Sequence, residues 1–154
     1  MFGSANVDKF GGAKLWEWQI AGTLKSKLSA SGASPGGWVA KMLPVYGKPI
    51  VTYHQSFIYF ANRFGLKVVD ELEPKPGLDP TPGHLAEVIK TITAQGVKVI
   101  IQESFYSLKH VQLVAARTGA KVATVPQNVG HDSNARDYIS LIDTVVDRIA
   151  TAAK

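Results

Sequence analysis

Histidines and carboxylates carry what metal or acid–base chemistry this chain can offer, because its 154 residues include no cysteine. That absence removes disulfides, thiolate zinc sites and cysteine nucleophiles together. Four histidines remain, His54, His84, His110 and His131. None stands four residues from another, so the i, i+4 pair of a helical zinc site is missing. His54 leads on local grounds. It follows the β-branched run Val51-Thr52 and Tyr53, and a helix is expected to begin directly after it. The positive end of such a helix favours neutral imidazole, the form that takes a metal. A histidine at this kind of turn equally caps a helix or ties down a loop, and position alone does not separate the roles.

Glu103 is either a second ligand or the acceptor that orients the imidazole, with capping of the helix near Ser107 as its plainer role. Asp132 reads as the N-cap of the last helix or as a ligand, and His131 beside it fits either role. The candidate metal set is His54, Glu103, Asp132 and His131. His84 falls in the first turn of a helix and His110 on a helix side away from the strand ends, so neither joins the set.

Other chemistries lack their residues. The glycine pairs Gly11-Gly12 and Gly36-Gly37 are accompanied by no G-x-x-x-x-G-K-S/T or G-x-G-x-x-G pattern, so no phosphate loop is expected. A G-x-S-x-G elbow is also missing, and no two carboxylates define an acid/base pair. The expectation is a protein that is not an enzyme. A formal charge of +5 and a pI near 9.5 raise nucleic acid as a partner. Lys and Arg are scattered rather than clustered, and that partner is set aside. No window reaches the roughly 18 continuous apolar residues of a membrane span, and the first residues have no apolar stretch of signal-peptide length.

The elements that must position these residues follow from periodicity. Residues 1–12 read as a mobile start, Ala13 to Leu28 as an amphipathic helix, and Ser29 to Gly37 as a linker. A short helix is expected over Trp38 to Leu43. Strands are expected at Ile50–Tyr53, Leu66–Leu72, Val97–Ile101 and Lys121–Val125. Helices fall between and after them, at Ser56–Phe64, from Thr81 as N-cap to Gly96, at Ser107–Thr118, and over Tyr138 to Ile149. Glu73 to Gly83, with proline at 74, 76, 80 and 82, is an extended loop. Strands alternating with helices predict an α/β fold, a four-stranded parallel sheet in the order 2-1-3-4 with helices on both faces. Ligands in such sheets bind outside the carboxyl ends of the strands. His54, Glu71, Glu73, Gln102, Glu103, Gln127, Asn128, His131 and Asp132 all map to that edge.

Five stretches then carry a resemblance: VTYHQSFIYFANRFGL, ELEPKPGLDPTPGHLAEVI, GVKVIIQESFY, TGAKVATVPQNVG and DYISLIDTVVDRI. Together, and in this order, they resemble the solute-binding receptors of zinc and manganese ABC importers. The resemblance implies the C-terminal lobe of a two-lobed receptor over residues 44–154, with residues 1–43 as an N-terminal extension. It implies capture of Zn²⁺, or Mn²⁺, for an ABC permease in the periplasm or another extracytoplasmic space. The family's H-x-S/A-F/Y-x-Y-F histidine, a metal ligand from this lobe, maps onto His54. The lobe's other ligand is usually an acid in the loop after the last strand. Here that loop reads Pro126-Gln127-Asn128-Val129-Gly130-His131-Asp132, close to a P-x-S-V-G-G subgroup but with Asn128 for Ser and His131 for the second Gly. Asp132, His131 and Glu103 all stand open as the completing ligand.

Two further histidines come from the family's N-terminal lobe. Residues 1–43 contain none and are short for such a lobe, so the expectation is a truncated receptor. The alternative is a self-associating α/β module that has lost transport. It would expose apolar surface at the sheet edge or near Trp16, Trp18 and Trp38, and could pair two copies of His54 in a homo-oligomer.

Overall fold

The computed structural model describes residues 37–73 and 75–154. The expected start, first helix and most of the linker lie outside them, as do Trp16 and Trp18.

In the described residues the order is α1 (Gly37–Met42), a 3-10 turn (Leu43–Val45), β1 (Pro49–Thr52), a second 3-10 turn (Gln55–Phe57), α2 (Ile58–Phe64), β2 (Lys67–Glu71), α3 (Pro82–Gln95), β3 (Val99–Glu103), α4 (Lys109–Thr118), β4 (Lys121–Val125) and α5 (Tyr138–Ala152). The strands form one parallel sheet in the order β2-β1-β3-β4, the order expected.

Alternation along each strand divides the core in two, because successive side chains point to opposite faces. Ile50, Val99, Ile101, Ala123 and Val125 face a cluster with Trp38, Met42, Phe57, Phe64, Leu141 and Val146, which covers the sheet with α1, α2 and α5. Val51 and Ile100 face the opposite cluster, with Leu85, Val88 and Ile92 of α3 and Val111 and Val114 of α4. The central strands are therefore apolar on both sides, as parallel strands covered by helices must be.

Local chemistry sets the ends of the helices. Thr81 caps α3 by accepting from the His84 backbone N–H at 3.2 Å, and Pro82 supplies a first residue with no N–H to satisfy. The cap of α5 differs from the expectation. Asp137, not Asp132, takes the position: its carboxylate accepts from the Ser140 N–H at 2.8 Å, while the Ser140 hydroxyl accepts from the Asp137 N–H at 2.9 Å. This reciprocal pair satisfies two donors and starts the helix five residues later than an Asp132 cap would.

The aromatic surface expected at Trp38 is a buried one. Trp38 is 3% exposed, and its indole N–H donates to Asp143 of α5 at 2.6 Å. Gly65 has to be glycine. It ends α2 at φ +66°, and a Cβ there would stand 2.2 Å from the Tyr46 ring.

Candidate functional site

The sheet continues hydrogen bonding past its formal ends, and that continuation builds the site. The Tyr53 N–H donates to Ile101 at 2.8 Å, the Leu72 N–H to Thr52 at 3.0 Å and the Glu73 N–H to Tyr53 at 2.9 Å. Between β1 and β2 the register slips: Ile50 pairs with Val68, but Val51 pairs with Asp70, so β2 carries one extra residue. With that bulge, Glu73 arrives beside His54.

His54 lies in extended backbone, φ −128° and ψ 168°, and caps the 3-10 turn that leads into α2. Its Nδ1 pairs with Oε2 of Glu73. The other Glu73 oxygen accepts from the Gly77 N–H at 2.7 Å. Glu73 is 6% exposed, whereas the imidazole stays partly open to solvent. A carboxylate only accepts, so the ring donates Nδ1–H and the lone pair is left on Nε2. Among the described residues no hydrogen bond occupies that nitrogen. The Tyr106 ring stands 6.1 Å from the imidazole, centroid to centroid, and itself stacks obliquely on Tyr53 at 4.5 Å. Burial, together with the nearby acids, raises the pKa of both tyrosines, so their hydroxyls stay protonated.

Glu103 is not in the loop after β3, as the sequence suggests, but inside the strand. Gln102 and Glu103 pair with Thr124 and Val125, and both are fully buried. Gln102 turns its amide to the carbonyls of Tyr106 and Ser107, at 3.0 and 3.2 Å, and so pins the turn that follows. Neither Glu103 carboxylate oxygen has a well-formed hydrogen bond. Desolvation pushes the Glu103 pKa up; the Ser56 hydroxyl, its own backbone N–H and the His54 ring pull in the opposite direction. A buried polar group left without a partner costs about 1–3 kcal/mol. A cation reaching these oxygens would relieve that cost. The donors suit such an ion, since an imidazole nitrogen and a carboxylate favour Zn²⁺ and also accept Mn²⁺.

The structure thus brings His54, Glu73 and Glu103 into one electrostatic neighbourhood. It uses Asp132 otherwise. Oδ1 of Asp132 accepts from the Asn134 N–H at 2.9 Å and from its side-chain amide at 3.1 Å, and Oδ2 pairs with Arg148 of α5. Arg148 also donates to the Thr124 carbonyl at 3.0 Å, which fastens the loop to β4. His131 is exposed in the same loop, its N–H on Asn128 at 3.2 Å. His84, in the first turn of α3, is half-buried, with Nε2 2.9 Å from the Glu71 carbonyl. His110 has its Nδ1 buried without a partner. Among the described residues, no three His, Asp or Glu side chains stand close enough to hold a metal together.

The sequence reading placed Glu73 at the edge but gave it no role. The signal was available: an acid stands two residues past the strand neighbouring that of His54, and Pro76-Gly77 follows to turn the chain back.

Comparison with known proteins gives the fold its family. The family model described as zinc-uptake complex component A, periplasmic (ZnuA), matches residues 38–152. The high-affinity zinc uptake system protein ZnuA of Brucella abortus is 27% identical over 86 residues, which are 56% of this chain and 26% of that protein. A mutant of the laminin-binding adhesin Lmb of Streptococcus agalactiae superposes with a TM-score of 0.60 at 25% identity, over 87% of this chain and 49% of that one. FpvC of Pseudomonas aeruginosa, solved with Ni²⁺, does so with a TM-score of 0.60 at 27% identity, over 86% of this chain and 50% of that one. The chain spans about a quarter of the curated relative's length and about half of each structural neighbour's. With the match running through β1, His54 and all four strands, the chain belongs to the ZnuA family of periplasmic zinc-uptake components.

Proposed function

We propose that residues 44–154 form the metal-capturing lobe of a solute-binding receptor that delivers Zn²⁺, with Mn²⁺ as the second choice, to an ABC permease outside the cytoplasm. Residues 1–43 are an extension of that lobe. One observation carries the reading: the open Nε2 of His54 lies in the neighbourhood of two buried Glu103 oxygens that have no well-formed hydrogen bond. His54 is the leading ligand and Glu103 the second. Asp132 joins only by exchanging Arg148 for the ion, and His131 only by turning in from the loop. Zinc takes about four ligands, so the remaining donors come from outside this lobe. The role is capture and delivery, without catalysis.

Titrating Zn²⁺ into the full chain by calorimetry tests this. Wild type should bind, and His54→Ala should weaken binding at least about tenfold, no less than the loss of a partner that only orients a ligand. Equal affinity in the two proteins would overturn the ligand assignment.

A second reading is a self-associating module, and one observation favours it. Ile58, Tyr59, Phe105, Leu108, Val129 and Tyr138 are exposed large apolar residues, and all lie in the connections leaving the carboxyl ends of the strands. Tyr59 and Tyr138 line one recess with Phe60 and Ile142, between α2 and α5.

A further inference from the structure

We infer that Glu73 is the positioning residue of this site, holding His54 in the Nδ1–H tautomer so that Nε2 is presented outward. The inference rests on His54 as the metal donor, but its geometry stands apart from the metal. The Glu73 backbone is fixed by its N–H on the Tyr53 carbonyl, at 2.9 Å. Its carboxylate is fixed at both ends, by the imidazole at Oε2 and by the Gly77 N–H at Oε1. Gly77 sits at φ +80°, where a side chain would be strained, so the turn that aims its N–H back at the acid depends on glycine. Burial at 6% exposure keeps water from competing for the oxygens.

The other histidines lack this arrangement. The His84 ring meets a carbonyl, and the buried His110 Nδ1 meets nothing. Only at His54, among the described residues, does a carboxylate select the ring nitrogen that keeps its proton. An outer carboxylate of this kind orients a ligating imidazole and strengthens it as a donor, and its loss typically costs 10- to 100-fold in metal affinity.

Nitrogen-15 spectra of the ring in the metal-free full chain read the tautomer directly. Wild type should show His54 as Nδ1–H, and Glu73→Gln should shift the ring toward a mixture or toward Nε2–H. Calorimetry with Zn²⁺ alone should give a Kd for Glu73→Gln about 10- to 100-fold weaker. Glu73→Asp, which keeps a carboxylate on a shorter arm, should recover part of that loss. An Nε2–H ring in wild type overturns the inference without any variant having to fold. So does a Glu73→Gln protein with wild-type tautomer and affinity. If His54→Ala leaves zinc binding intact while the tautomer still follows Glu73, the metal reading fails and the positioning role stands.

Discussion

Asp132 accepts from Asn134 and from Arg148, and these bonds, the Asn134 backbone N–H first, hold its carboxyl below the usual aspartate range. A depressed folded-state pKa means that the carboxylate contributes stability above the unfolded-state value. That contribution is lost as pH falls through the folded-state value. Asp132→Asn should therefore lower the melting temperature at neutral pH, and the gap from wild type should close at acid pH. A series of melting curves from neutral to strongly acid pH checks this, and a gap independent of pH would show that the loop is held by something else. Glu73 and Glu103 differ from Asp132 in kind. One is consumed in aiming a ring, and the other is buried without a partner it can bond well.

Two elements show how local chemistry competes with pattern. The last helix has an aspartate at 132 and another at 137, and both suit an N-cap by residue type. The serine three residues after Asp137 decides between them, since it closes the reciprocal pair, whereas Asp132 meets Arg148. Asp137→Ala should cost about 1 kcal/mol of stability, read as a lower urea midpoint with unchanged slope. Loss of nothing measurable would return the cap to another residue. Strand β3 erred the other way. Gln102 and Glu103 are polar after an apolar run, and Glu is depleted in strands, so the sequence reading ended the strand at Ile101 and left them to a loop. In the fold, β4 pairs with both of them and carries Glu103 into the core. Pairing with a neighbour is a tertiary fact that no window of single-chain pattern contains. The apolar runs of β1 and β4 and the Thr81-Pro82 start of α3 needed no such partner, and they were legible.

At the scale of the whole molecule, the parallel sheet and the edge outside its strand ends were readable from alternation and helix spacing. The strand order, by contrast, was one choice among the topologies that right-handed crossovers allow. The pairing of His54 with Glu73 was not readable, because it depends on a one-residue slip between two strands. The exposed apolar residues of the connections that leave the strands belong to this scale too. A surface of this kind is a site for another polypeptide face, and a second copy of the chain is one occupant. Sedimentation at increasing concentration, with and without Zn²⁺, separates the readings. Under the receptor reading the described lobe stays monomeric in both conditions. A dimer that forms only with Zn²⁺ would place two His54 rings on one ion, and a metal-independent dimer would favour the module.

The slip in β2 makes the chemistry of His54 a matter of counting. Had Ile50 and Val68 set the spacing for the rest of the ladder, Leu72 would face the imidazole in place of Glu73. Side chains between Lys67 and Asp70 can be exchanged without touching that count. Losing the extra residue between Val68 and Asp70 would remove the slip and still leave Glu73 opposite His54, whereas the intact strand paired without the slip would hand the histidine Leu72. The bulge thus sets which side chain meets the ring: a variant that keeps the length of β2 but pairs without the slip keeps the fold and loses the aim of the ring.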